Sequence, residues 1–176
     1  MGKLIGVLVL VVAIVVGGGY LNRTQCLNDD GPRRAVQDYL AAMKDERFDD
    51  AYEFVTASMT DNLAVAEWAG QQSTVFKMGK VVINKIDVRR GYRELENVFM
   101  CAATAKVSNV LHASDILNNQ GSSEFEIYTL VMDGGDWKID SQETLFDDAM
   151  IRQWFPDDEA PVFKDTLVQP VKGDNK

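Results

Sequence analysis

Eighteen consecutive residues near the start of the chain, LIGVLVLVVAIVVGGGYL at positions 4–21, carry no charge. As a helix they would extend about 27 Å at roughly 1.5 Å per residue, enough to cross the hydrocarbon core of a bilayer. A cleaved signal peptide is the rival reading, because the apolar stretch 4–16 has the right length and Gly17, Gly18 and Gly19 are small. The Ala-x-Ala pattern of a cleavage site is missing and Tyr20 suits a membrane interface, so a retained transmembrane anchor is expected over residues 1–22.

A lipid anchor is disfavoured. The residues NRTQ before Cys26 are not the small ones that precede a lipidated cysteine, and MGKLIG has no Ser or Thr at its sixth position for myristoylation. Basic residues flank the span on both sides, Lys3 before it and Arg23, Arg33 and Arg34 after it, so counting them does not set the orientation. An anchor with almost nothing before it resembles an uncleaved export signal. The expectation is a single-pass protein of a bacterial inner membrane with its domain in the periplasm. Cys26 and Cys101 suit that oxidising space and form a candidate disulfide; the alternative is two unrelated thiols, since Cys26 lies in a juxtamembrane linker over residues 23–31. The formal charge of −9, with basic residues dispersed among acids, argues against nucleic acid as a partner.

Beyond the linker the pattern becomes helical. Asp30, Gly31 and Pro32 are start signals, and Val36, Tyr39, Leu40 and Met43 recur at helical spacing. After a break at KDER, Phe48, Ala51, Tyr52 and Val55 repeat that spacing. Ser58 with Asp61 reads as a capping box opening a third helix through Leu63, Ala66 and Trp68 toward Phe76. The period then shifts to two, predicting strands over residues 81–88, 98–111, 123–132 and 137–146, with RRGYRELEN as a polar connection between the first two. Asp133, Gly134, Gly135 and Asp136 join the last two strands. A calcium loop needs oxygen ligands at alternating positions and a glutamate at the twelfth, which this stretch lacks, whereas a Gly-Gly pair suits a primed hairpin turn.

Three helices followed by an antiparallel sheet, with AVQDYLAAMKDERFDDAYEFV in front and LVMDGGDWKID near the end, resembles the nuclear transport factor 2-like superfamily, in particular its small envelope-anchored bacterial members. The matching positions are Val36, Tyr39, Leu40 and Ala42, then Phe48, Ala51, Tyr52 and Phe54, then Gly135, Trp137, Lys138 and Ile139. The resemblance covers residues 32–146. It implies an α+β fold in which three helices pack on a curved four-stranded antiparallel sheet to make a cone. In some members the cone holds a ligand and in others a solid core. Tyr39, Tyr52, Trp68 and Tyr128 are the aromatics that would line such a pocket, or pack the core with their polar tips bonded. The resemblance also implies pairing of two copies through the exposed sheet face.

Enzymes of this superfamily need an acid or base inside the cone. The single histidine, His112, has Asp115 nearby in sequence and is a candidate base, although a strand-end histidine in a polar loop explains it as well. Cys101 lies eleven residues away, about 36 Å along a straight strand at roughly 3.3 Å per residue, so it makes a poor nucleophile for that base. No phosphate-binding glycine loop precedes a helix, and Cys and His are too few for a zinc site built from them alone. No catalytic residue, metal or cofactor is therefore assigned.

Residues 147–176 form a last segment. DDAMIRQWF predicts a short amphipathic helix with Met150, Ile151 and Trp154 on its apolar side, followed by a proline-punctuated tail greasier than a disordered one. Trp154, Phe155, Phe163 and Leu167 are its candidate docking residues, either on the domain's own sheet or on a partner by strand addition. Three functions follow as expectations. The first is a non-catalytic accessory subunit of a membrane or envelope protein complex, held in the bilayer by residues 4–21. The second is a tethered binding module for a small apolar ligand, and the third is an isomerase or hydratase of the polyketide-cyclase type. The first is preferred, because no acid–base machinery is legible.

Overall fold

The computed structural model describes residues 16–19, 30–97 and 100–158, and of residues 93–97 and 100–103 the backbone alone. Of the charge-free run only residues 16–19 are described, and they are helical; among the described residues no helix is long and apolar enough to cross a membrane. The anchor, Cys26, Phe163, Leu167 and the side chain of Cys101 lie outside the described residues.

The domain is α+β. Helices α1 (Gly31–Lys44), α2 (Phe48–Tyr52) and α3 (Val65–Gly79) precede strands β1 (Val82–Val88), β2 (Tyr92–Asn97), β3 (Met100–Ser114), β4 (Ser122–Asp133) and β5 (Asp136–Leu145), and α4 (Asp148–Trp154) follows. The strands pair antiparallel in the order β1-β3-β4-β5. Val36, Tyr39, Leu40 and Met43 of α1 are buried as their spacing predicts, and α1 ends at the expected break. Asp30 does not cap α1 with its side chain; it pairs instead with Arg33 at 3.4 Å.

Two expectations need correction. The connection RRGYRELEN is partly a fifth strand, because Tyr92–Asn97 pairs with β3. β3 is 15 residues long and β1 only 7, so β1 covers Asn109 to Ser114 and leaves the rest of that edge free for β2. Alternating charge is ordinary on such an edge strand and carries no strand signal of its own. The corner before β2 depends on Gly91, where a Cβ atom would come within 2.9 Å of Val107 Cγ2 and 3.3 Å of the Lys106 carbonyl. The capping box at Ser58 and Asp61 does not form either. Asp61 and Asn62 both take positive φ, 53° and 58°, which ends the turn there, and α3 begins at Val65.

The hairpin between β4 and β5 is as expected. Asp133 pairs with Asp136, and Gly134 and Gly135 have φ of 61° and 98°, positive at both central positions as a type I′ turn requires. The helical layer is stitched to β5 by backbone bonds from Thr56 N to the Ile139 carbonyl at 2.9 Å and from Ile139 N to the Phe54 carbonyl at 2.8 Å.

The sheet is covered on both faces. On one side α1, α2 and α3 close over Val88, Val107, Tyr128, Leu130 and Ile139. On the other, α4 seats Ile151 and Phe155 on Val110, Phe125, Ile127 and Leu145, with the rings of Phe125 and Phe155 at 4.8 Å. Asp147 caps α4, accepting from the Ala149 and Met150 backbone N–H groups. Met150, expected on the apolar face, is 40% exposed, and Phe155 takes its place. Phe155 is thus taken up by the domain's own sheet and is not free to dock on a partner. Arg89 ties down the chain beyond α4 by donating from Nη2 to both carboxylate oxygens of Asp158 at 2.9 and 3.2 Å.

Phe155→Ala should therefore cost about 3–5 kcal/mol of stability in chemical denaturation, as loss of a buried ring does. Asp158→Ala should cost only the partly exposed Arg89–Asp158 pair, worth at most about 1 kcal/mol. Equal stability of Phe155→Ala and the parent chain would show that α4 is not part of the core.

Candidate functional site

Strand β4 has no solvent face at its centre. Phe125 and Ile127 point under α4, so alternation turns Glu126, Tyr128 and Leu130 toward the three-helix layer. Glu126 is a carboxylate that is 1% exposed. Its neighbours answer it with donors: Asn109 Nδ2 at 2.8 Å and the Tyr128 hydroxyl at 2.9 Å both donate to Oε2, and Gln142 Nε2 donates to Oε1 at 2.6 Å. Asn109 is fixed in turn, because its Oδ1 accepts the backbone N–H of Asp87 at 3.1 Å. The network draws on β1, β3, β4 and β5, with β4 supplying both Glu126 and Tyr128.

Burial pushes the Glu126 carboxyl above its ordinary value of 4.5, against the pull of the Asn109, Tyr128 and Gln142 donors, and the Glu124 charge adds to the upward push. Burial, reinforced by the Glu126 charge, also raises Tyr39 to about 12 and Tyr128 well above 10.0. A carboxyl whose proton is held more tightly in the fold than in the unfolded chain contributes stability below the ordinary 4.5. That contribution is lost as pH rises through the folded value.

Tyr39, Glu126, Tyr128 and Gln142 line an open cavity of about 270 Å³, whose other walls include Leu40, Met43, Phe76 and Ile83. Of the four aromatics expected to line a pocket, the structure brings Tyr39 and Tyr128 there, edge to face at 6.3 Å. Tyr52 and Trp68 pack against each other at 5.7 Å elsewhere in the core, and the Tyr52 hydroxyl donates to the Leu63 carbonyl at 2.7 Å. Trp154 packs at the edge of the outer core with Lys106 Nζ 5.9 Å from its ring centre.

His112 is not in the cavity. Leu111 and Ala113 line it, so His112 between them points to the opposite face of β3, where its Nδ1 is 2.8 Å from the Ser123 hydroxyl. Asp115 does not orient it: its Oδ1 accepts the backbone N–H groups of Leu117 and Asn118 at 2.6 and 2.8 Å, holding the loop after β3. The group that sequence reasoning missed is Glu126. The clue was the Glu-x-Tyr-x-Leu series of positions 126, 128 and 130, which share one face with residues that must be buried.

No protein-family model matches the chain, and no curated protein matches it. Among solved structures it is similar to Bd1075 of Bdellovibrio bacteriovorus, at 12% identity and a TM-score of 0.45; the match covers 65% of this chain and spans only 39% of Bd1075. It is also similar to a domain of unknown function with a cystatin-like fold from Nostoc punctiforme, at 13% identity and a TM-score of 0.46, covering 71% of this chain and 80% of that one. A third similarity is to the intermembrane space region of the chloroplast protein ARC6, at 13% identity and a TM-score of 0.36, covering 65% of this chain and 96% of that one.

Removing one donor from the network tests its weight. Asn109→Ala should destabilise the domain by about 1–3 kcal/mol, because both Glu126 and the Asp87 N–H lose a buried partner. Urea denaturation near neutral pH measures this, and an unchanged midpoint would mean that the network is dispensable.

Proposed function

We propose that this chain is a membrane-tethered, non-catalytic accessory module of the cell envelope. In this reading residues 4–21 are its anchor in a bacterial inner membrane, and a nuclear transport factor 2-like domain stands in the periplasm and docks on a membrane or envelope protein complex. The observation that carries it is a group of exposed apolar residues at one end of the domain. Val75 and Met78 of α3, Val82 of β1, and Ile116 and Leu117 after β3 are between 53% and 93% exposed. The Ile116 N–H donates to the carbonyl of Gly79, next to Met78, at 2.7 Å and so joins the end of α3 to the loop after β3. Apolar side chains gathered this way on a folded surface are what a protein partner covers.

Their position fits a tethered role. The start of α1, where the linker enters, lies at the opposite end of β1: Arg33 Nε donates to the Val88 carbonyl at 3.2 Å, and Gly91 lies beside Pro32. Val82 is six residues from Val88, about 20 Å at roughly 3.3 Å per residue. The domain thus carries the apolar group away from its tether. Pairing of two copies, the other expected contact, has less room than the resemblance implies, because α4 occupies the outer sheet face over Val110, Phe125, Ile127 and Leu145.

The enzyme reading requires an ionisable group inside the cone, and Glu126 is one. Three donors take most of its lone pairs, which suits holding a charge in place better than passing a proton to or from a substrate. The cavity beside it favours, as a second reading, a binding module for a small molecule.

The accessory reading is tested on full-length protein purified from native membranes in mild detergent. The parent should co-purify with its complex, and Met78→Asp combined with Leu117→Asp should reduce recovery of that complex at least roughly tenfold. Phe146→Asp, at an exposed residue outside this group, should leave recovery unchanged. Equal recovery with the double variant would refute docking through this end.

A further inference from the structure

The cavity has a chemical bias that the ligand-binding reading does not by itself contain. Three of its lining residues are acids, Asp115, Glu124 and Glu126, and among the described residues none of its lining is Lys, Arg or His. The remaining wall is largely apolar, with Met43, Phe76 and Ile83 along it. Its volume of about 270 Å³ is room for roughly nine waters at about 30 Å³ each, at the small end for ligand sites.

Glu126, 1% exposed, is the most buried acid of this lining. A carboxylate offers about four acceptor positions, and the donors from Asn109, Tyr128 and Gln142 occupy three of them. The groups facing it are Tyr39 from α1, Asn109 from β3, Glu124 and Tyr128 from β4, and Gln142 from β5. None of these carries positive charge. An anionic ligand would meet acids in the lining and no basic side chain, whereas a cation would meet groups that ionise to the opposite charge.

We propose that this cavity takes a small organic cation, an alkylammonium of a few carbons, with its charged end toward Glu126 and its chain along Met43 and Ile83. The inference rests on the ligand-binding reading and adds the class of ligand to it. An alkylammonium, with a pKa near the lysine value of about 10.4, is cationic at neutral pH. The cation favours the ionised carboxylate, so binding is linked to loss of the Glu126 proton and tightens as pH rises through the range in which Glu126 ionises. Glu124, at the same cavity, adds attraction of the same sign.

The test is calorimetric titration of full-length protein in lipid nanodiscs with n-butylammonium, n-butanol and butyrate, each to about 10 mM. Butylammonium should bind at least roughly tenfold tighter than either of the others, and Glu126→Gln should remove most of that preference. Should Glu126→Gln fail to fold, Glu124→Gln should still lower butylammonium affinity several-fold while leaving butanol unaffected. Butanol or butyrate binding as tightly as butylammonium would overturn the cation class while leaving a binding module standing. No binding of any of the three would overturn both.

Discussion

A carboxylate buried between four strands is the constraint around which this domain is arranged. Glu126 is 1% exposed, and the chain brings Asn109, Tyr128 and Gln142 to it, each from a fixed register position. Asn109 sits directly opposite Glu126 in the β3–β4 pairing, and Gln142 sits opposite Tyr128 in the β4–β5 pairing. A slip of one residue in either ladder would turn that ladder's donor to the other face and leave the acid one buried partner short, at a cost of about 1–3 kcal/mol. Asn109 extends the restraint to β1 through the Asp87 N–H. The network therefore fixes the register of four strands, which apolar packing alone specifies less sharply.

The same burial explains the short helix after the sheet. Strand β4 is covered by the helical layer on one side, and its other face, with Phe125 and Ile127, would be greasy and exposed without α4. Ile151 and Phe155 close it. With both faces of the sheet centre occupied, the end bearing Met78 and Leu117 still exposes apolar side chains. The cavity beside Glu126 includes Val81, Ile83, Ser114 and Asp115 in its lining, close in sequence to the exposed Val82, Ile116 and Leu117.

Much of the architecture was legible in the sequence, because helical spacing at Val36 to Met43 and alternation in β1, β4 and β5 report burial directly. The Gly134–Gly135 turn was legible because positive φ at two adjacent positions favours glycine. β2 was not, since a charged edge strand looks like a loop until its partner is known. The start of α3 was misread because Asp61 and Asn62 adopt left-handed conformations that residue type alone does not announce. Glu126 escaped for a deeper reason: alternation is read on the assumption that one face of a strand meets water, and here α4 removes that face. The cavity draws on α1, β1, β3, β4 and β5, so no local stretch encodes it.

In the role proposed above, a tethered domain with its sheet centre filled on both faces serves contact and binding. The fold itself rests on a Glu126 carboxyl that is buried and answered by three neutral donors. Its most direct measurement is the titration of the Glu126 side-chain carboxyl by carbon-13 NMR, assigned with Glu126→Gln. The account requires this resonance to titrate clearly above the ordinary 4.5, with the Asn109 and Gln142 side-chain amides shifting in step. Titration at or below 4.5 would mean a solvated or cation-paired carboxylate, and would contradict it.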